Sequence, residues 1–124
     1  MNQIISTPAA PAAIGPYSQA IQAGGLLFLS GTMPIDPVTG ALAEPQIAAQ
    51  AEQVMKNIGA VLQAAGYTFE DVVKTTCFLA DMGDFAVFNE VYARYFTGKP
   101  ARSCVAVKSL PKGALVEVEV IASH

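Results

Sequence analysis

The sequence predicts an α+β fold in which two helices cover one face of a mixed β-sheet. Segments with strand and helix patterns follow one another in the order β-β-β-α-β-α-β-β. Two helices can cover only one face of such a sheet. Only 14% of the residues are charged, whereas soluble domains have about 25%. We therefore expect a single domain spanning residues 1–124, with the second face of its sheet buried against other subunits.

Three strands are predicted before the first helix. Gln3–Ser6 is a short apolar segment, and the proline-rich loop after it cannot pair regularly. Tyr17–Gln22 is the second candidate strand. A turn at Gly24 and Gly25 separates it from Leu26–Gly31, whose continuous apolar run is typical of a strand buried on both faces.

Two later segments have the apolar periodicity of helices. Pro45 suits the start of the first helix and Gly66 its end. The β-branched segment Val72–Ala80 then predicts a strand. Asp81 offers an N-cap to the second helix, which we expect to end at Gly98. The predicted inward residues are Ile47, Ala51, Val54, Met55, Ile58, Val61, Leu62 and Ala65 in the first helix and Phe85, Phe88, Tyr92, Tyr95 and Phe96 in the second.

The last two predicted strands carry charges in an otherwise apolar pattern. Because side chains alternate across a strand, Arg102 and Cys104 share one face, as do Glu117 and Glu119, and valines occupy the opposite faces. If both valine faces contact the helices, all four of these side chains project onto the helix-free face. Arg102 would then either pair with a glutamate to fix an oligomer or form a catalytic site in a groove between subunits. Structural ion pairs are the commoner of the two, and the pattern alone leaves both open.

The rest of the sequence argues against several classes of site. His124, the last residue, is the only histidine, so Ser-His-Asp and Cys-His arrangements are not expected. No cluster has metal-ligand spacing, and no glycine-rich phosphate loop is present, so we expect neither a metal nor another cofactor. The net charge is −3 without a basic run, which argues against a nucleic-acid partner.

The sequence also predicts where the protein resides. No apolar run approaches the ~20 residues that span a bilayer, so a membrane partner is not expected. The N-terminus lacks the pattern of a secretory signal, which favours a cytoplasmic location. Cys77 and Cys104 lie far apart in strand-like segments, and we expect two buried free thiols.

Several motifs together resemble one known family. They are IGPYSQA near the start, LFLSGTMP, VVKTTCFLADMGDFAVFNEVYARYF, and PARSCVAV followed by LPKGALVEVEVIA. In this order, and through nearly the whole chain, they resemble the RidA family (also called YjgF/YER057c/UK114). The resemblance implies a chorismate-mutase-like α+β fold that assembles as a homotrimer with clefts between subunits.

The resemblance also implies a reaction and a site. Members that carry the arginine hydrolyse 2-iminobutanoate and 2-iminopropanoate, reactive products of pyridoxal-phosphate enzymes, to 2-oxo acids and ammonia. By motif, Arg102 binds the substrate carboxylate, and Glu117 activates water as an acid/base with Tyr17 as a second catalytic group. Glu119 is left as an interface or solvated charge. The other positions matched as substrate-binding are Ser30, Gly31, Asn89 and Cys104.

One segment departs from the family pattern. Only Thr97–Lys99 stands between Phe96 and Pro100, where many members have a longer loop with an aromatic residue before the proline. A shorter loop at the edge of a cleft would alter the preference between three- and four-carbon imines.

Two other functions remain as alternatives. One is an endoribonuclease, an activity also attributed to family members, although the acidic balance and the lack of an internal histidine weigh against it. The other is a non-catalytic trimer that binds small ligands or acts as a chaperone-like surface. Cys104 is expected to line the pocket, although the nearby Arg102 would lower the pKa of its thiol.

Overall fold

A computed structural model describes residues 2–124 of the chain. Within these residues, the strands and helices follow one another in the predicted order. The strands are β1 (Gln3–Ile5), β2 (Ala20–Ala23), β3 (Leu26–Thr32), β4 (Val72–Leu79), β5 (Ala101–Ala106) and β6 (Val116–Ser123), and the helices are α1 (Ile47–Ala64) and α2 (Phe85–Tyr95).

The strands form one mixed sheet in the order β1-β2-β3-β6-β4-β5. β4 and β5 run parallel, and the other neighbouring strands run antiparallel. Parallel neighbours need a crossover connection, and α2 supplies it between β4 and β5. β6 therefore lies in the middle of the sheet and β5 at its edge. The predicted α+β class, with both helices on one face of a mixed sheet, is confirmed.

Helix α1 buries the apolar face that its periodicity predicts. Val54, Met55 and Ile58 are completely buried in the core between the helix and the sheet. Just after the helix, Gly66 has a φ of 81°, a left-handed conformation that glycine adopts without steric cost. The N–H of Tyr67 then donates to the carbonyl of Leu62 at 2.9 Å and closes the last turn.

Helix α2 packs beside α1 through its aromatic residues. Phe88, Tyr92 and Phe96 are buried, as predicted. Asp81 accepts a hydrogen bond from the N–H of Gly83 at 2.8 Å and caps a short 3₁₀ turn that leads into the helix. Neither α1 nor α2 has the length and apolar character of a membrane-spanning helix.

Two element boundaries differ from the sequence-based expectation by three residues, whereas the ends of β1 to β4 differ by one residue each. Helix α2 ends at Tyr95 rather than Gly98. Strand β2 begins at Ala20 rather than Tyr17, because the side chain of Gln19 donates to the carbonyls of Thr7 at 3.0 Å and Pro11 at 2.8 Å. These bonds hold the residues before β2 against the preceding loop instead of in the sheet.

The helix-free face of the sheet carries exposed apolar side chains that no helix among residues 2–124 covers. Leu26 and Phe28 on β3 are 40% and 41% exposed, whereas their neighbours Leu27 and Leu29 are buried under the helices. Val105 on β5 is 46% exposed. Exposed apolar side chains on a sheet face are found on surfaces that meet another protein chain.

The prediction that Arg102 and Cys104 lie on the helix-free face is wrong. In the β4–β5 register, Arg102 pairs with Thr75 and Cys104 with Cys77, and both partners are buried under the helices. Paired residues share a face, so Arg102 and Cys104 lie on the helix side. The valine pattern is misleading here because β5 is an edge strand, and Val105 belongs to the apolar helix-free face.

The corresponding prediction for β6 is confirmed. Val116, Val118 and Val120 are buried under the helices. Glu117 and Glu119 alternate with them and therefore lie on the helix-free face. Consequently, Arg102 and Glu117 lie on opposite faces of the sheet.

Candidate active site

Arg102 is held on an aromatic platform made by α2. Its guanidinium carbon lies 4.7 Å from the ring centroid of Tyr92 and 5.5 Å from that of Phe85, within the range of cation–π attraction. Nη1 donates to Oδ1 of Asn89 at 2.6 Å. The Tyr92 hydroxyl is itself bonded to the Thr75 hydroxyl at 2.8 Å. The guanidinium is therefore oriented by three side chains of one helix.

Arg102 has no carboxylate partner among residues 2–124. The salt bridge found in this part of the chain joins Arg94 to Glu52. A guanidinium has five N–H donors, so most of those on Arg102 remain available after the bond to Asn89. Such an arrangement can bind the two oxygens of a carboxylate at once.

An open pocket of about 460 Å³ lies beside this arginine. It is formed by α2, the loop after it and the start of β5. We call it the Arg102 half-site. Its lining residues are Asn89, Tyr92, Ala93, Phe96, Thr97, Lys99, Pro100 and Arg102.

Glu117 lies in a second pocket, on the other face of the sheet. It is half-buried and stands opposite Phe78 in the β4–β6 register. Burial raises the pKa of the Glu117 carboxyl above its usual range, and the nearby Glu119 carboxylate raises it further. A carboxyl tuned in this direction is suited to exchange protons nearer neutral pH.

Gly31 makes room for the Glu117 carboxyl. A Cβ at position 31 would collide with Oε2 of Glu117 and lie 2.8 Å from its Cδ. The strand register shifts between Leu29 and Thr32, so this glycine sits in an irregular part of β3. β-Bulges often redirect side chains next to functional sites.

The pocket around Glu117 has a volume of about 520 Å³. We call it the Glu117 half-site. Tyr17 is exposed at its rim, and the Ser30 hydroxyl donates to the carbonyl of Ser18 at 2.6 Å. Ser30 thereby ties the segment that carries Tyr17 to β3. The lining residues are Ala12, Ile14, Tyr17, Ser30, Gly31, Met33, Ile35, Pro111, Lys112 and Glu117.

A buried asparagine of α1 fixes the floor of the Glu117 half-site. The side-chain amide of Asn57 donates to the carbonyls of Met33 and Ile35, both at 2.9 Å. Its own oxygen accepts from Gln53 at 3.0 Å. These bonds couple the core helix to the segment after β3 that lines the pocket.

The two cysteines are neighbours but not reactive thiolates. Cys77 is buried, and burial raises its pKa to about 12. Burial also raises the pKa of Cys104, and this effect outweighs the lowering by Arg102. The expected lowering by Arg102 is therefore present, but the net direction is upward because of burial. Cys104 therefore stays a neutral thiol near neutral pH, and it does not line the pocket beside Arg102.

The structure thus brings the candidate residues together in two groups rather than one. Arg102, Asn89 and Cys104 belong to the helix side of the sheet. The second group contains Tyr17, Ser30, Gly31 and Glu117. Among residues 2–124, no group of three or more His, Cys, Asp or Glu side chains could hold a metal ion.

Sequence reasoning did not single out two lysines that line these pockets. Lys99 lines the Arg102 half-site and Lys112 the Glu117 half-site. Both adopt left-handed backbone conformations, with φ values of 55° and 58°, which are uncommon for residues other than glycine. The signal in the sequence is that each lysine stands between a glycine and a proline.

Comparison with known proteins identifies the family. A family model described as Endoribonuclease L-PSP matches residues 7–124. The chain belongs to this family. The names of its relatives, among them a Rid-family protein and a 2-iminobutanoate/2-iminopropanoate deaminase, show that this is the RidA family predicted from the sequence motifs.

Two close relatives and one ligand complex show the extent of the similarity. A mouse 2-iminobutanoate/2-iminopropanoate deaminase is 49% identical over 98% of this chain and 91% of its own length. YyfA, a Rid-family protein from Yersinia pestis, is 52% identical, with a TM-score of 0.97 and complete coverage of both chains. E. coli TdcF, solved with bound serine, is 41% identical, with a TM-score of 0.94 and 98% coverage of each chain.

Proposed function

We propose that the protein hydrolyses small 2-imino acids and their enamine forms, such as 2-aminoacrylate and 2-aminocrotonate, to 2-oxo acids and ammonia. The observation that carries this proposal is the oriented Arg102 guanidinium, which has no carboxylate partner among residues 2–124 and opens onto a pocket. A 2-imino acid supplies a carboxylate beside its reactive carbon. The mouse relative, a 2-iminobutanoate/2-iminopropanoate deaminase, supports the same reaction.

The proposed mechanism uses Arg102 for binding and Glu117 for proton transfer. Arg102 holds the substrate carboxylate, and Asn89 keeps the guanidinium in place. Glu117 takes a proton from water as the water oxygen bonds to C2 of the imine. The proton passes to the nitrogen and gives a carbinolamine. Glu117 then moves the hydroxyl proton to the nitrogen as the C–N bond breaks and the C=O bond forms, and the products are a 2-oxo acid and ammonia. Tyr17 helps to position the substrate or the water.

We further propose that two copies of the chain build each site within a homotrimer. The Arg102 and Glu117 half-sites lie on opposite faces of one sheet, so a single chain does not place both groups on one substrate. The apolar helix-free face, with Phe28 and Val105 exposed, supports contact with a neighbouring copy. The neighbour's Arg102 half-site would then close over Glu117. Cys104 would line the completed cleft.

The test of the reaction generates 2-aminoacrylate or 2-aminocrotonate in solution and follows its disappearance. We expect wild type to accelerate the loss well above buffer, and Arg102→Ala and Glu117→Gln to lose most of the acceleration. A wild type no faster than buffer would contradict the deaminase proposal. A fully active Glu117→Gln would contradict only the acid/base role of Glu117.

The test of the shared site mixes the two inactive variants. Arg102→Ala retains Glu117 and Glu117→Gln retains Arg102, so one of the four pairings of neighbours is intact. After unfolding and refolding an equimolar mixture, we expect roughly a quarter of wild-type activity. Activity that stays at the level of the separate variants would mean that one chain supplies both residues. Light scattering that gives a monomer would contradict the homotrimer.

Ribonuclease activity is the second candidate, because the matching family model is described as an endoribonuclease. The geometry gives it less support. The only histidine, His124, stacks on Tyr67 with ring centroids 4.0 Å apart and contacts the carbonyl of Gly66 at 3.0 Å. It lines neither half-site. Incubation of structured RNA with wild type and Arg102→Ala tests this alternative, and cleavage that needs Arg102 would favour it.

Binding without catalysis is the third reading, and the serine in TdcF shows that a relative can hold a small carboxylate ligand. In that case Arg102→Ala would lose ligand binding, whereas Glu117→Gln would change nothing that can be measured. A cytoplasmic location and a single domain over residues 1–124 stay predictions.

A further inference from the structure

The loop after α2 holds a lysine in an unfavourable backbone conformation. Lys99 has a φ of 55°, a left-handed value that is unfavourable for a residue with a side chain. Gly98 could adopt this conformation without that cost, yet the left-handed residue is its neighbour. Strain retained at a surface loop is a reason to look for a role of that side chain.

The surroundings of the loop hold Lys99 in this conformation. Phe96, on one side, is buried in the core. The N–H of Lys99 donates to the carbonyl of Phe96 at 3.3 Å. The Thr97 hydroxyl donates to Oε1 of Glu70 at 2.9 Å. The lysine backbone is therefore anchored at a fixed place beside β5.

Lys99 adds a second cation to the Arg102 half-site. The eight lining residues include Lys99 and Arg102 but no aspartate or glutamate. Glu70 bonds to the same loop, yet it does not come within 4 Å of the Lys99 ammonium. Among residues 2–124, neither cation has a carboxylate partner. The pocket is thus suited to a ligand that carries two negative charges.

The pocket, which is open on the side where a neighbouring copy would close it, has room for a longer ligand. Its volume is about 460 Å³, and pockets of roughly 300–1,000 Å³ accept molecules much larger than a three-carbon acid. A three- or four-carbon imino acid with a single carboxylate would engage Arg102 and leave Lys99 without an anion.

We infer that Lys99 binds the second carboxylate of a dicarboxylic 2-imino acid, in the class of 2-iminosuccinate and 2-iminoglutarate. The inference rests on the proposed deaminase function and specifies its substrate. Arg102 binds the carboxylate next to C2, and Lys99 binds the carboxylate at the far end. The reaction is the same hydrolysis: water adds to C2, the C–N bond breaks, and a 2-oxo dicarboxylate and ammonia leave without any oxidation or reduction.

The test compares kcat/KM for dicarboxylic and monocarboxylic imines produced in solution by an amino-acid oxidase. The substrates are 2-iminoglutarate and 2-iminosuccinate on one side and 2-iminobutanoate on the other. We expect Lys99→Gln to lower the ratio of dicarboxylic to monocarboxylic kcat/KM roughly fivefold, the effect of a partly exposed ion pair. Most of the loss should lie in KM. Lys99→Arg should restore the ratio, because it keeps the charge.

Lys56→Gln is the matched control, since Lys56 is an exposed lysine on α1 that lines neither half-site. The ratio should stay at the wild-type value in this variant. An unchanged ratio in Lys99→Gln would overturn the inference. An equal fall in Lys56→Gln would overturn it too, because the effect would then come from net charge.

A binding measurement separates this inference from the deaminase proposal. Calorimetry with 2-oxoglutarate and 2-oxobutanoate needs no turnover. Tighter binding of the dicarboxylate by wild type, lost in Lys99→Gln, would support the role of Lys99 even if no imine were hydrolysed. Equal binding of the two acids would overturn it, even if 2-iminobutanoate were hydrolysed rapidly.

Discussion

The Arg102 and Glu117 half-sites lie on opposite faces of one sheet, and their surroundings differ in kind. Arg102 is stacked on Tyr92 and bonded to Asn89 at 2.6 Å, so its position is fixed before any ligand arrives. Glu117 lies in the space left by Gly31 at an irregular point of β3. One half-site has a preorganised cation, and the other has a carboxyl whose pKa is raised by burial.

This difference explains how a chain can keep two opposite charges apart. If Arg102 and Glu117 faced each other in one chain, they would form a salt bridge and lower the pKa of Glu117. Placed on opposite faces of the sheet, they stay unpaired until a second copy arrives, in the arrangement that we propose. Substrate could then enter between them. The alternation of side chains along β5 and β6 is sufficient to produce this separation.

Replacing the preorganised cation should have the largest effect. Arg102→Lys keeps the positive charge but loses the two-pronged donor geometry and the stacking on Tyr92, so we expect kcat/KM for 2-imino acids to fall about 10³-fold. Steady-state kinetics on imines generated in solution measures this. The fold should persist, because the side chain is only partly buried.

Arg94→Lys is the control for that substitution. Arg94 is the other arginine of the chain, its side chain is 62% exposed, and it pairs with Glu52 at the surface. Its replacement should change kcat/KM less than twofold. If Arg102→Lys were as active as Arg94→Lys, charge alone would be enough, and the aromatic platform would have no role in binding.

The fold could be predicted largely from periodic patterns. Helix α1 buries one continuous stripe, so its apolar spacing gave both its extent and its inward face. In β6, valines and glutamates alternate strictly, and the face of Glu117 followed directly. The start of β2 could not be predicted in this way, because three hydrogen bonds from the Gln19 side chain to distant loop carbonyls override strand propensity.

The candidate site was less accessible to sequence reasoning. The face of Arg102 was mispredicted because it depends on which strand neighbours β5, and that neighbour is β4 rather than β6. The usual rule that valines face the core fails at an edge strand with an apolar outer face. The left-handed conformation of Lys99 is set by tertiary contacts of Phe96 and Thr97, and the residues Gly98 to Pro100 alone predict only a turn.

Filling the space at Gly31 should impair the Glu117 half-site selectively. In Gly31→Ala, the new methyl group would displace the Glu117 carboxyl, while the backbone at this position requires no left-handed φ. We expect a loss of kcat of about 10²-fold, the typical effect of misplacing a catalytic group by about 1 Å. Thermal unfolding should change little, because the displaced atoms are the end of a flexible side chain.

A double-mutant comparison isolates the cause of this loss. If Gly31→Ala acts by moving Glu117, adding it to Glu117→Gln should reduce kcat no further. Losses that multiply would mean that Gly31 acts on the substrate or backbone directly, and the pairing of Gly31 with Glu117 would then be wrong.

Removing Glu119 should shift the pH dependence without abolishing activity. The Glu119 carboxylate raises the pKa of Glu117, because a like charge disfavours ionisation. Glu119→Gln should therefore lower the pKa of Glu117, and the acidic limb of kcat/KM should move to lower pH. Profiles of kcat/KM from pH 4 to 8 measure the difference between wild type and Glu119→Gln. High salt should make this difference smaller, because it screens the Glu119 charge in wild type. If the acidic limb of kcat/KM lay at the same pH in wild type and Glu119→Gln, a group other than Glu117 would control that limb.

The smallest effect should be a gain in stability when Glu117 is neutralised. Because the pKa of Glu117 is raised in the folded state, folding penalises its charged form. This penalty is fully present above the folded pKa and vanishes below the unfolded pKa. Solvent around this half-buried carboxyl and the Arg102 of a neighbouring copy would both reduce the penalty, so Glu117→Gln should raise the melting temperature at pH 7 by only about 1 °C and leave it unchanged near pH 3. Glu44→Gln, a change at an exposed carboxyl outside both half-sites, is the control. A lower melting temperature for Glu117→Gln at pH 7 would show that the charged carboxylate stabilises the fold. The conclusion that burial of the charged form destabilises the protein would then be wrong.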